Sequence, residues 1–139
     1  MKKIEVFTDG SSIGNPGPGG WCAILKYKGK EKKISGGEAF TTNNRMELKA
    51  VIEALKLLKS PCEVELFSDS TYVLKGISEW LKNWIKKDFR GVKNEDLWKE
   101  FINVSKGHKI NVNWVKGHSG HEENEICDKI ARKEALKFK

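Results

Sequence analysis

The chain has 139 residues, with 26 Lys+Arg against 19 Asp+Glu and a net charge of +7. At 38% hydrophobic residues it can bury a core in one domain over 1–139, which excludes a disordered tail. No apolar run nears the ~20 residues that span a bilayer, and Glu5 and Asp9 follow Met1-Lys2-Lys3 too closely for an export signal.

Ile4-Glu5-Val6-Phe7-Thr8 alternates as a strand does and puts Asp9 at its carboxyl end. Gly10 to Gly20 holds five glycines with Pro16 and Pro18 and reads as a loop. Trp21 to Lys28 reads as a second strand, Gly29 as a turn and Glu31 to Gly36 as a third strand, an antiparallel meander. From Asn44, the spacing of Leu48, Val51, Ile52, Leu55 and Leu58 predicts a helix that Pro61 ends. Val64 to Ser68 is a fourth strand with Asp69 at its end. Ser70 to Lys87 reads as one or two helices broken near Gly76, Lys86 to Lys93 as a basic loop, and Glu95 to Val104 as another helix. Lys109 to Val115 is a fifth strand, Lys116 to Gly120 a loop, and Glu122 to Leu136 a final helix. The order predicts an α/β fold, with helical crossovers making the last two strands parallel.

The basic balance fits a polyanionic partner, or simply a solvated Lys/Glu surface. Asp is scarce: only five stand against 14 Glu. Asp9 and Asp69 end strands that would be neighbours, where ligand sites of open α/β sheets lie. Each could instead cap the following turn or helix. Glu47 reads equally as the acid of a capping box with Asn44 as cap, or as a side chain aimed at the same sheet edge. Asp128 is either an exposed helical acid paired with Arg132, or a fourth member of the group. Converging carboxylates repel unless cations lie between them, and oxygen ligands suit Mg²⁺ or Mn²⁺. Two such ions are a known arrangement for phosphodiester chemistry.

Between Lys82 and Lys93 five basic residues meet one acid, interleaved with aromatics from Trp80 and Trp84 onward. That mix suits a nucleic-acid backbone, or an amphipathic helix with buried Trp and solvated Lys. Trp114 to His121 ends a strand and presents His118 and His121 on a glycine-flanked loop. His118 can move a proton or hold a phosphate. His121 and His108 read as surface residues. Cys22, Cys62 and Cys127 lack metal-ligand spacing and read as free thiols of a cytoplasmic protein.

Together these segments resemble a type 1 ribonuclease H along nearly the whole chain. The resemblance rests on Thr8-Asp9-Gly10-Ser11 with Gly14-Asn15-Pro16-Gly17, then Thr42-Asn43-Asn44-Arg45-Met46-Glu47-Leu48. It continues through Ser68-Asp69-Ser70 with Tyr72-Val73, Trp114 to His118, and Glu123-Asn124-Glu125 with Asp128. It implies a ribonuclease H-like fold that cleaves the RNA strand of RNA–DNA hybrids, leaving 3′-hydroxyl and 5′-phosphate ends. It implies Asp9, Glu47, Asp69 and Asp128 as ligands of two Mg²⁺, with Mn²⁺ able to substitute, and His118 as an auxiliary catalytic residue. It places Gly10, Ser11, Asn15, Asn43 and Asn44 at the substrate, with Trp80, Trp84, Lys86, Lys87, Arg90 and Lys93 in a protrusion gripping the DNA strand. The chain departs from the pattern at Thr71, where well-known relatives carry Gln, and at Glu122, where Pro is common. Its protrusion is shorter than the longest bacterial versions, and no separate hybrid-binding domain is expected. A monomer with no protein or membrane partner is expected. Two rival readings are a non-catalytic hybrid-binding module on the same fold and a related DNA-strand nuclease.

Overall fold

The computed structural model describes residues 1–116 and 121–139. Strands β1 (Lys2–Ser12), β2 (Gly17–Tyr27) and β3 (Lys30–Thr41) form an antiparallel meander. Strands β4 (Cys62–Ser68) and β5 (Lys109–Trp114) add to β1 in parallel, giving the order β3-β2-β1-β4-β5. The expected α/β fold, a five-stranded mixed sheet flanked by helices, is the one observed.

Helix α1 spans Asn43–Lys56, α2 Thr71–Lys75, α3 Leu81–Lys86, α4 Glu95–Ser105 and α5 Glu122–Leu136. Side chains alternate across β1. Ile4 and Val6 join Leu48, Val51, Ile52 and Leu55 of α1 in the main core. Phe7 faces the other way, packing with Cys22, Ile24, Cys127 and Ala131 beneath α5. No described helix is long and apolar enough to cross a membrane.

Several boundaries differ from the sequence reading. The span expected as a loop from Gly10 to Gly20 is mostly strand, because Gly10, Ser11 and Ser12 pair with Trp21, Gly20 and Gly19. Only Ile13 to Pro16 lies between β1 and β2. The glycines there permit close packing: a Cβ on Gly20 would sit 2.1 Å from Ala131 O, so α5 rests directly on β2. Helix α1 stops before Pro61, closed by Leu57 N–H donating to Ala54 O at 3.1 Å. Gly76 does not break the helix after β4. It opens a π-helical turn, Gly76–Trp80, between α2 and α3, and a Cβ there would lie 2.3 Å from the Trp98 ring.

Candidate active site

The carboxyl ends of β1 and β4 lie side by side, so Asp9 and Asp69 emerge at one edge of the sheet. Neither caps a helix. Ser70 caps α2, its Oγ accepting from Val73 N–H at 3.2 Å. Asp9 Oδ1 instead accepts from its neighbour, Gly10 N–H, at 2.9 Å.

Glu47 comes from above. The capping-box reading fails because Thr42 occupies the cap of α1, its Oγ1 accepting from Arg45 N–H at 3.3 Å. Glu47 is thereby free to point inward, where it is 5% exposed. The close approach depends on Gly10: a Cβ there would stand 2.3 Å from Glu47 N and 2.4 Å from Met46 C. Only glycine lets the first turn of α1 lie on β1 at this point.

Among the described residues, Asp9, Glu47 and Asp69 each offer a carboxylate oxygen within 4.8 Å of the others. Burial is the main force on Asp9, with the Asp69 charge next; together they push its carboxyl from 3.8 up to about 7. Burial likewise drives Glu47 well above the usual carboxylate range, followed by the charges of Asp9 and Asp69. The two carboxyls are hydrogen-bonded to one another. Glu47 Oε1 is buried without a hydrogen-bond partner. Such a set stores a proton when no cation is present, because two buried negative charges in contact cannot both persist. An all-oxygen set with one orphaned carboxylate oxygen fits a hard divalent cation.

Asp128 stands apart from this trio. It is paired with Arg132, whose Nε donates to Oδ1 at 3.2 Å, as the simplest helical reading expected. Its charge still reaches Asp9, raising the Asp9 carboxyl further. A residue the sequence reading left without a role fixes its helix. Asn124 Nδ2 donates to Thr8 O at 3.3 Å and to Phe67 O at 3.1 Å, pinning α5 across the ends of β1 and β4. Its signal was placement: an amide in the first turn of a helix otherwise led by acids.

The substrate candidates divide by position. Asn15 Oδ1 accepts from Asn43 N–H at 3.0 Å, tying the β1–β2 connection to the start of α1, and exposed Asn44 follows. Gly10 is buried and Ser11 half-buried beside them. The protrusion is split. Trp80 and Trp84 are half-buried in a cluster of tilted and edge-to-face rings with Tyr72, Trp98 and Phe101. Lys86, Lys87, Arg90 and Lys93 are exposed. Arg45, another missed residue, ties the start of α1 to the start of α4. Its guanidinium donates to both carboxylate oxygens of Asp96 at 2.9 and 2.7 Å.

His118 lies outside the described residues. His121 precedes α5 and stacks edge-on against Phe67, with ring centroids 4.7 Å apart. His108 is not simply exposed. Its Nδ1 accepts from Cys62 N–H at 3.1 Å, because the loop before β5 folds onto the start of β4. The three cysteines are buried and free.

A mixed sheet of this order, with acids converging where parallel strands end beneath a helix start, defines a ribonuclease H-like nuclease fold. The chain belongs to the ribonuclease H family: the family model described as RNase H matches residues 1–136. It is 66% identical over 137 residues to the ribonuclease HI of Helicobacter pylori strain 26695, covering 99% of this chain and 96% of that protein. It is 60% identical over 139 residues to the ribonuclease H of Campylobacter concisus, covering 100% and 96%. Among solved structures, LC9-RNase H1, described as a type 1 RNase H with the type 2 active-site motif, superimposes with TM-score 0.89 at 29% identity. That match covers 100% of this chain and 74% of the other. LC11-RNase H1 in complex with RNA/DNA hybrid matches with TM-score 0.71 at 21% identity, covering 96% and 97%. The last likeness is one of fold.

Proposed function

We propose that this chain is an endonuclease that hydrolyses the RNA strand of RNA–DNA hybrids with divalent cations, leaving 3′-hydroxyl and 5′-phosphate ends. The observation that carries the reading is the trio Asp9, Glu47 and Asp69 in a chain of this family. In this reading the three carboxylates hold Mg²⁺, Mn²⁺ being an alternative, and Asp128 completes the set from α5. Bound cations supply charge neutralisation at the phosphate and lower the pKa of a coordinated water. The protein supplies placement. Gly10 and Ser11 bring backbone N–H and C=O groups close to the sugar of the strand being cut. Asn15, Asn43 and Asn44 offer amides that both donate and accept in the shallow minor groove of a hybrid. Contacts to sugar and phosphate carry no base preference. Lys86, Lys87, Arg90 and Lys93 hold the DNA strand, on a platform packed by Trp80 and Trp84. His118 moves a proton during cleavage or product release, so His118→Ala costs activity without abolishing it, within ~10²–10⁴-fold.

The same reading makes 1–139 a single catalytic domain acting as a monomer. Its buried free thiols suit the reducing cytoplasm. Labelled hybrid, duplex DNA and duplex RNA, incubated with Mg²⁺ or with EDTA, test the activity. The expected result is cleavage of the RNA strand of the hybrid alone, abolished by EDTA. Hybrid binding without cleavage, or cutting of the DNA strand, would overturn it.

A further inference from the structure

The protrusion is not the only place where positive charge gathers. Residues 26–33, around the β2–β3 turn, carry five Lys against one Glu, the same local excess of four as the protrusion. This turn lies at the opposite end of the sheet from the carboxylates, beside the start of β1. Lys2 is separated from Asp9 by a strand run of about 23 Å.

The neighbouring elements continue the charge. An open depression is lined by Met1, Lys2, Lys3, Tyr27, Lys28 and Pro61. A second, sharing Pro61, is lined by Leu58, Lys59, Ser60, Lys106 and His108. Lys109 begins β5 opposite Glu63 of β4. With neighbouring strands about 4.8 Å apart, the band crosses the whole end of the sheet, roughly 19 Å.

Both lysines of α1 are neutralised, and so are two of the five at the turn. Lys26 pairs with Glu31 and Glu123, Lys33 with Glu31, Lys49 with Glu53, and Lys56 with Glu53 and Glu100. By contrast, Lys2, Lys28, Lys30, Lys32, Lys59 and Lys106 form no ion pair among the described residues. Two details show arrangement beyond mere abundance. Lys28 has φ 48 and Gly29 φ 79, so Lys28 holds a left-handed position of a two-residue turn that favours Asn, Asp or Gly. The chain thus sets an ammonium at the tip against local backbone preference. His108 uses Nδ1 as acceptor for Cys62 N–H, which leaves Nε2 carrying the proton in the neutral ring, a donor suited to a phosphate oxygen.

We propose that this end of the sheet is a second nucleic-acid-binding surface, which grips the phosphates of a segment other than the one at the carboxylates. The band is long and carries repeated cations, so an extended polyphosphate backbone fits it better than a short acidic peptide. Contact through Lys and His alone gives binding without sequence preference. The surface does not depend on the catalytic reading, since it takes duplex DNA as readily as hybrid.

The test uses the whole chain with Lys86→Ala and Lys87→Ala, so that the protrusion contributes less, and adds Lys28→Glu, Lys30→Glu and Lys59→Glu. Affinity for a short duplex DNA without RNA is followed by anisotropy across salt concentrations. The added substitutions are expected to weaken binding at least about tenfold at low salt and to lower the salt slope by about 2–3, near 0.9 per neutralised phosphate. In the otherwise natural chain, the same three substitutions should abolish energy transfer between two differently labelled duplexes held by one molecule. Cleavage of a hybrid too short to leave the carboxylate edge should be unchanged, showing that the variants fold. An unchanged salt slope overturns the proposal. So does a polyglutamate peptide that binds this end more tightly than DNA does. Because the readout is binding to uncut DNA, it stands or falls separately from hydrolysis.

Discussion

Asp69 separates catalysis from binding most cleanly, since it is exposed at the site while Asp9 and Glu47 are buried. Asp69→Asn should abolish hybrid cleavage while hybrid affinity stays near that of the parent. Cleavage within tenfold of the parent refutes its role as a ligand. Removing that charge also relieves the repulsion that lifts Asp9 and Glu47. The metal-free variant should therefore melt higher than the metal-free parent at neutral pH, measured by circular dichroism. The raised Asp9 carboxyl has a further consequence. A group that binds its proton more tightly when folded stabilises the fold while protonated. The contribution of Asp9 to metal-free stability should be lost as pH rises from 3.8 through about 7, and level off above. The loss from Asp9 is at most about 4 kcal/mol. Mg²⁺ should restore more stability at pH 8 than at pH 5, and equal melting shifts at both would contradict the shared proton. The sequence left Glu47 and Asp69 divided between capping and chemistry. Thr42 and Ser70, each taking the cap, remove the capping reading, and this turns on hydroxyl geometry that spacing does not encode.

Packing of elements, more than any single acid, sets the distance between carboxylates. The first turn of α1 rests on Gly10, and α5 rests on Gly20 and Gly37. Gly10→Ala should push α1 off β1, destabilising the fold by about 1–3 kcal/mol and lowering cleavage more than hybrid affinity. Urea denaturation with parallel activity and binding measurements checks both. Parent-like stability and activity would mean that α1 can shift without cost. The glycine-rich run was legible as special, but its reason was misread. Gly10 and Gly20 are strand residues that make room for helices, and a one-dimensional pattern cannot distinguish such crowding from a loop. The π-helical turn at Gly76 was missed for the same reason, since Trp98 approaches from a distant helix.

Across the whole molecule, charge has an arrangement that the net value conceals. The acids meet at one sheet edge, one basic group stands on the protrusion, and another lies at the far end of the sheet. Lys86→Ala with Lys87→Ala should lower the salt slope of hybrid binding by about 0.7–0.9 for each phosphate no longer neutralised. An unchanged slope would remove the protrusion from the interface. The strand and helix order, the parallel pair and the ordered motifs were determined by sequence alone, because hydrophobic periodicity and motif order are read along the chain. Tertiary structure decided the rest. It brought Asp9, Glu47 and Asp69 together, left Asp128 beside Arg132, and joined Lys2, Lys28 and Lys59 into one face. Proximity between residues far apart in the chain follows from how helices and strands pack, and electrostatic coupling depends on that proximity and on burial.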